Sequence, residues 1–251
     1  MAIRVVCRTD SGRQRDHNED NFLADPEAGL FAVADGMGGH EAGEVASAMA
    51  LATLREALAP RGRSPAALRT PALEVLAEGV RGANRQVFEV GRHRPVEARM
   101  GTTLVTTLIR DGEAVFASVG DSRIYRVRDG TLDQLSRDHS LVGELVARGE
   151  MTQEEARHSP HKHVITRALG MEPAVEVDAW SEALKPGDLF LLCSDGLTDE
   201  VTDPEILDTL LAGGPDLEAA CQALIDLANR RGGRDNITAL LIQYEAAPAS
   251  T

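Results

Sequence analysis

Apolar positions recur along the chain in two rhythms, and the rhythm changes in blocks. Leu73, Leu76, Ala77, Val80, Ala83 and Val87 return at the three-and-four spacing that lines one face of a helix over residues 73–90. Leu217, Ala220, Cys221, Leu224 and Ala228 do the same over 216–231. With companions at about 43–58 and 203–212, the predicted helices come in two pairs. Extended stretches lie between the pairs. TTLVTTLIR and EAVFASVG meet at Asp111-Gly112, and SRIYRVR and TLDQLS meet at Asp129-Gly130, so each two-residue link predicts an antiparallel hairpin. Further strands are predicted in IRVVCRT near the start, LFAVA at 30–34, VEVDAW at 175–180, DLFLLCS at 188–194 and ITALLIQYE at 237–245.

There is no strict alternation of strand and helix. Runs such as LFLLCS are apolar on both faces and imply sheets covered on both sides. The fold class expected is therefore α+β, with two antiparallel sheets face to face and helix pairs outside them. From about Asp138 to Gly170 the chain turns polar and irregular around a short helix near 140–148, which reads as an insertion lying over a surface. The end, AAPAST at 246–251, reads as a disordered tail. With 43% hydrophobic residues and no linker-like stretch, residues 1–245 are expected to form one domain.

Charge narrows the partners. The chain has 26 Lys+Arg against 40 Asp+Glu, a formal charge of −14, which is the wrong sign for a nucleic-acid backbone or an anionic membrane surface. Cys7, Cys193 and Cys221 are odd in number and scattered, as suits free thiols in a reducing compartment. The N-terminal MAIRVVCRTD is too soon interrupted by charge for a signal peptide, and no apolar run approaches the ~20 residues that span a bilayer. A cytoplasmic monomer is expected.

The candidate chemistry lies at the ends of strands. LFAVADGMGGH, Leu30 to His40, takes a buried run straight into Asp35 and three glycines. Asp195-Gly196 likewise follows a buried strand, whereas the Asp-Gly pairs at 111 and 129 join half-polar strands and read as plain turns. A carboxylate at the rim of an apolar core is costly unless a cation compensates it. NED at 18–20, GDS at 120–122 and RDN at 234–236 are similar acidic spots. Each alone reads as a turn or cap; together, without clustered His or Cys, they are hard oxygen donors suited to Mg²⁺ or Mn²⁺ rather than Zn²⁺.

These stretches carry a resemblance. DSGRQRDHNED, DGMGGH with EAGEVAS, MGTT at 100–103, VGDSR at 119–123, DHS at 138–140, ITRALG at 165–170, SDGLTD at 194–199 and GRDNIT at 233–238 resemble, in order and rough spacing, the bacterial metal-dependent protein phosphatases of the PPM or type 2C Ser/Thr family. The resemblance implies a four-layer αββα sandwich with a metal site at one edge of the two sheets. It implies that Asp35 bridges two Mg²⁺ or Mn²⁺ ions and that the Gly36 carbonyl binds one of them, with glycines letting the backbone approach. Asp195 and Asp235 would complete the second ion. Glu19, Asp20 and Asn236 would hold water around the ions or orient the ligands. Asp121 would share a third, weaker ion with Asp195. Arg15 would bind phosphate through its guanidinium fork, and His40 would protonate the departing serine or threonine oxygen. A hydroxide bridging the two ions would attack phosphorus in line, with no phosphoenzyme. Partners implied are phosphorylated proteins, including a bacterial Ser/Thr kinase or its substrates.

Other chemistries fit the sequence less well. Cys7 to Arg13 fits C-x5-R, the loop of cysteine-dependent phosphatases, but Asp10 in its middle would repel phosphate. A haloacid-dehalogenase-like site needs a second Asp two places from the nucleophile, where Val33, Met37, Cys193 and Leu197 stand. His158, His161 and His163 in HSPHKH could be a zinc cluster, but a polar loop with no nearby acid or thiolate favours solvated histidines. Ser159-Pro160 stands where many family members have His-Pro, a departure within the insertion. The alternative of another class is a non-catalytic module that binds phosphoproteins or scaffolds a complex. Such modules lose metal-site acids, and Asp20, Asp35, Asp121, Asp195 and Asp235 are all present.

Overall fold

A computed structural model describes residues 2–38, 41–59, 71–95 and 99–245. The predicted tail at 246–251 lies outside them. One sheet has the strand order β1 (Ala2–Asp10), β11 (Ile237–Glu245), β10 (Leu189–Cys193), β7 (Arg123–Arg128), β8 (Thr131–Gln134). The other runs β2 (Asp20–Asp25), β3 (Leu30–Met37), β5 (Leu104–Arg110), β6 (Glu113–Val119), β9 (Asp178–Ala183), with the two-residue β4 (Gly101–Thr102) on the end of β3. Every pairing is antiparallel.

Side chains alternate between two cores along each central strand. Phe31 and Val33 of β3 meet Phe190 and Leu192 of β10 and Leu240 and Ile242 of β11 between the sheets. Leu30, Ala32 and Ala34 point the other way, onto α1 (Glu41–Leu58) and α2 (Ala72–Gly91). Leu191 and Cys193 face α6 (Asp203–Gly213) and α7 (Leu217–Arg231). Strands buried on both faces carry continuous apolar runs for this reason. The result is four layers, αββα, as the patterning implied. Asp111 and Asp129 both take φ 52°, followed by Gly112 at 82° and Gly130 at 76°, the left-handed pair that a two-residue hairpin turn requires.

The segment 138–170 leaves and rejoins the body at neighbouring points. Ser140 bridges Ile165, and Leu169 bridges Thr102 beside β3. Within it lie α3 (Leu141–Ala147) and α4 (Gln153–His158), capped by Ser140 and by a Thr152/Glu155 capping box. After β10 comes a one-turn helix, α5 (Asp195–Thr198). No helix among the described residues is long and apolar enough to cross a membrane.

Candidate metal centre

The ends of β2, β3, β10 and β11 converge at one rim of the sandwich, and each delivers a carboxylate there. Asp20 opens β2 directly opposite Asp35 on β3. Asp20 is buried, and its Oδ2 accepts hydrogen bonds from Ser194 Oγ and Thr238 Oγ1, both at 2.7 Å. Those donors belong to the opposite sheet, so Asp20 ties the two sheets together at the rim.

The threonines of MGTT hold Asp35 by its backbone. Its N–H donates to Thr103 Oγ1 at 3.0 Å, and its carbonyl accepts from Thr103 N–H and Thr102 Oγ1, each at 2.8 Å. The next residue must be glycine. A Cβ on Gly36 would lie 2.1 Å from the Gly43 carbonyl oxygen in the first turn of α1 and 2.7 Å from that of Glu19. Gly196, after Asp195, is equally constrained, since its Cβ would fall 2.0 Å from the Asn236 carbonyl oxygen.

Asn236 fastens the 11–19 loop. It accepts from Glu19 N–H at 2.8 Å and donates to the carbonyls of Ser11 and His17 at 3.0 and 2.9 Å. Arg15, half-exposed on that loop, pairs with Asp235 through Nη2 to Oδ2 at 2.6 Å. Asp121 follows Gly120 at the end of β6, and Thr103 Oγ1 meets Ser122 Oγ at 2.7 Å. Thr103 thereby sets Asp121 and Asp35 in one frame.

The acids repel one another. Burial, then Asp20, Asp195, Asp121 and Asp235, push the Asp35 carboxyl well above the ordinary range. Burial, then Asp121, Asp199, Asp235 and Asp20, do the same to Asp195. Asp20 is pushed up to about 6 and Asp121 to about 7, in both cases chiefly by burial. Glu19 Oε1, Asp20 Oδ1 and Asp121 Oδ1 are buried with no hydrogen-bond partner. Oxygens left unsatisfied amid mutual repulsion, with no thiolate among them, fit Mg²⁺ or Mn²⁺.

Two cavities adjoin here, of about 760 Å³ over Asp35, Arg15 and Asp235 and about 520 Å³ under α3 and α4; Lys162, Asp195 and Asp199 line both. Asp199 was overlooked in the sequence although it lies one helical turn beyond Asp195, a spacing that puts both on one face. It pairs with Lys162 at 2.8 Å and His163 Nδ1 at 3.5 Å. His163 therefore does have acids nearby, which the loop sequence did not suggest: His163, Asp195 and Asp199 can bring one ligand atom each within 4.8 Å of the others. His158 and His161, both exposed, join no such group among the described residues. His40 lies outside the described residues.

Residues 10–241 match the profile of the family described as protein phosphatase 2C. The serine/threonine phosphatase stp of Listeria welshimeri is 42% identical over 245 residues, 96% of each chain. Among solved structures, the Mycobacterium tuberculosis serine/threonine phosphatase PstP/Ppp is 38% identical with a TM-score of 0.87, covering 98% of this chain and all of that one. The PstP catalytic domain in complex with two manganese ions is 37% identical with a TM-score of 0.83, covering 97% of this chain and 99% of that one. With nearly the whole chain matched in sequence and in fold, the protein belongs to the protein phosphatase 2C family.

Proposed function

We propose that this chain hydrolyses phosphoserine and phosphothreonine in proteins, as a metal-dependent phosphoric monoester hydrolase whose single catalytic domain spans 1–245 with 138–170 as its flap. The observation that carries the reading is the convergence of Asp20, Asp35, Asp121 and Asp195 at one rim, where burial and crowding raise all four carboxyls and Asp20 and Asp121 each keep a buried oxygen that no protein group satisfies. Asp35, the Gly36 carbonyl, Asp195 and Asp235 would hold two Mn²⁺ or Mg²⁺ ions tightly, the number present in the PstP complex. Asp121 with Asp195 would hold a weaker third. When bound, such ions supply Lewis-acid charge and an activated water nucleophile.

The remaining roles fall to side chains. Asp20, fixed by Ser194 and Thr238, and Glu19, fixed through Asn236, present oxygens to water at the rim. Arg15 offers its guanidinium fork to phosphoryl oxygens from the mouth of the cleft. His40 would protonate the leaving oxygen, so His40→Ala should slow a phosphoserine peptide far more than p-nitrophenyl phosphate, whose leaving group needs no proton. The thiols do not compete as nucleophiles, because burial pushes Cys193 up to about 12 and raises Cys7 and Cys221 as well. The role proposed is reversal of bacterial Ser/Thr kinase signalling in the cytoplasm.

The test is phosphate release from phosphoserine, phosphothreonine and phosphotyrosine peptides, with Mn²⁺, with EDTA and after thiol alkylation. Release from the first two that needs Mn²⁺ and survives alkylation is expected. Turnover in EDTA that alkylation abolishes overturns the metal mechanism; phosphopeptide binding with no turnover identifies a non-catalytic module instead.

A further inference from the structure

His139 is a buried histidine to which the reading above gives no task, and its surroundings are unusual. The residue is 4% exposed. Nδ1 accepts the N–H of Gly120 at 3.0 Å, while the His139 N–H donates to the Gly120 carbonyl at 2.9 Å. One residue thus captures both polar backbone groups of the glycine that precedes Asp121. Since Nδ1 is an acceptor, the ring proton sits on Nε2, which lies 3.1 Å from Arg167 Nη1 and 3.3 Å from Asp178 Oδ2; of these two only the carboxylate can accept it. Arg167 completes the arrangement, bonding Asp178 at 2.9 Å.

The glycine cannot be fixed by ordinary strand pairing. β6 ends at Val119, and Gly120 takes φ 107°, a left-handed conformation. A Cβ there would lie 2.6 Å from Thr103 Cβ, so Thr103 closes one side and His139 the other. Asp121 Oδ1 is buried without a partner, so that oxygen is aimed by the backbone behind it. His139 is also joined to the returning end of the flap, its carbonyl accepting Thr166 N–H at 2.8 Å.

We propose that His139 is the positioning residue for Asp121, setting the place of the third-ion carboxylate and tying it to the flap through Thr166. This rests on the reading that Asp121 holds a weak third ion. An asparagine side chain reaches the position of Nδ1 with an oxygen acceptor, whereas glutamine reaches only the position of Nε2. The two variants therefore separate the Gly120 bond from the bond to Asp178.

In metal-free protein, amide hydrogen exchange at Gly120 should be about tenfold faster in His139→Gln and near wild type in His139→Asn, the factor that loss of one hydrogen bond gives. The Mn²⁺ concentration for half-maximal phosphopeptide turnover should rise several-fold in His139→Gln, while calorimetry still counts two tight sites. Adding His139→Gln to Asp121→Ala should cost nothing further, because the two act in series. Unchanged exchange at Gly120 in His139→Gln, or equal effects of the Asn and Gln variants, overturns the positioning role. Wild-type Mn²⁺ dependence in Asp121→Ala instead overturns the third-ion reading, and with it the functional half of the inference, while leaving the exchange result standing.

Discussion

A carboxylate such as Asp195 sits where it costs the fold. Burial and four neighbouring acids hold its carboxyl well above the ordinary range, so ionising it in the metal-free protein is unfavourable. Asp195→Asn keeps the shape and removes the charge. In EDTA it should raise the melting temperature by a few degrees, because it relieves repulsion among the buried acids. Phosphopeptide turnover in Mn²⁺ should fall at least about a hundredfold. Differential scanning fluorimetry and phosphate release on one preparation decide it, and a lower melting temperature with retained turnover would remove Asp195 from the site. Gly36→Ala should do the reverse, losing roughly 2–4 kcal/mol in urea melts because its Cβ collides with backbone on two sides. Asp35 and Asp195 were legible because an acid closing an apolar strand has no ordinary explanation. Asp199 and His139 were not, since a polar residue after a short helix or inside a loop fits any turn, and only folding brings them beside Lys162 and Gly120.

At the scale of elements, the junction of β3 and β5 holds the site together through hydroxyls. Thr103 accepts from the Asp35 N–H and bonds Ser122, and Thr103 and Ser122 are both fully buried. Thr103→Val keeps the volume and leaves both partners unsatisfied, so stability should fall by roughly 1–3 kcal/mol with an unchanged denaturant slope. Urea unfolding followed by tryptophan fluorescence from Trp180 measures this. A loss well under about 0.5 kcal/mol would mean that water replaces the hydroxyl. Hairpins were legible because Asp-Gly specifies both the turn and the pairing. β2 was not: it is an edge strand, its apolar positions include the exposed Phe22, and it opens on two polar residues, Asp20 and Asn21. The stretch VEVDAW was read as a strand at 175–180, but pairing with β6 begins at Asp178, opposite Ser118. Val175 and Val177 pack on the α1/α2 core without a partner strand, because apolar alternation reports burial and not hydrogen bonding. α4 was missed: its six residues give no period, and the Thr152/Glu155 capping box that starts it emerges only in the fold.

Over the whole molecule, a charge of −14 adds to the local crowding at the rim, and both depend on pH. Asp20 and Asp121 titrate near 6 and 7 in the metal-free fold, against an ordinary 3.8 that the unfolded chain should approach. Between about pH 4 and 7 the folded state therefore binds more protons than the unfolded state, and stability must fall as pH rises through that window. Below it both states are protonated at these groups; above it both are ionised and the full repulsion is present in the fold. Asp35 and Asp195, raised further, extend the decline upward. Divalent ions compete with those protons for the same oxygens, so they should bind more tightly as pH rises and stabilise the fold most where the metal-free protein is weakest. We expect the melting temperature in EDTA to drop between pH 5.5 and 8, and the gap between Mn²⁺ and EDTA to widen over the same range. Thermal melts at four or five pH values, in both conditions and at constant ionic strength, measure the two trends together. A gap that narrows as pH rises would mean that Mn²⁺ binds away from the carboxylates of Asp20, Asp35, Asp121 and Asp195; an EDTA curve that climbs with pH would mean that other groups, such as the salt-bridged Asp178 and Glu205 whose carboxyls lie below the ordinary range, dominate the linkage instead.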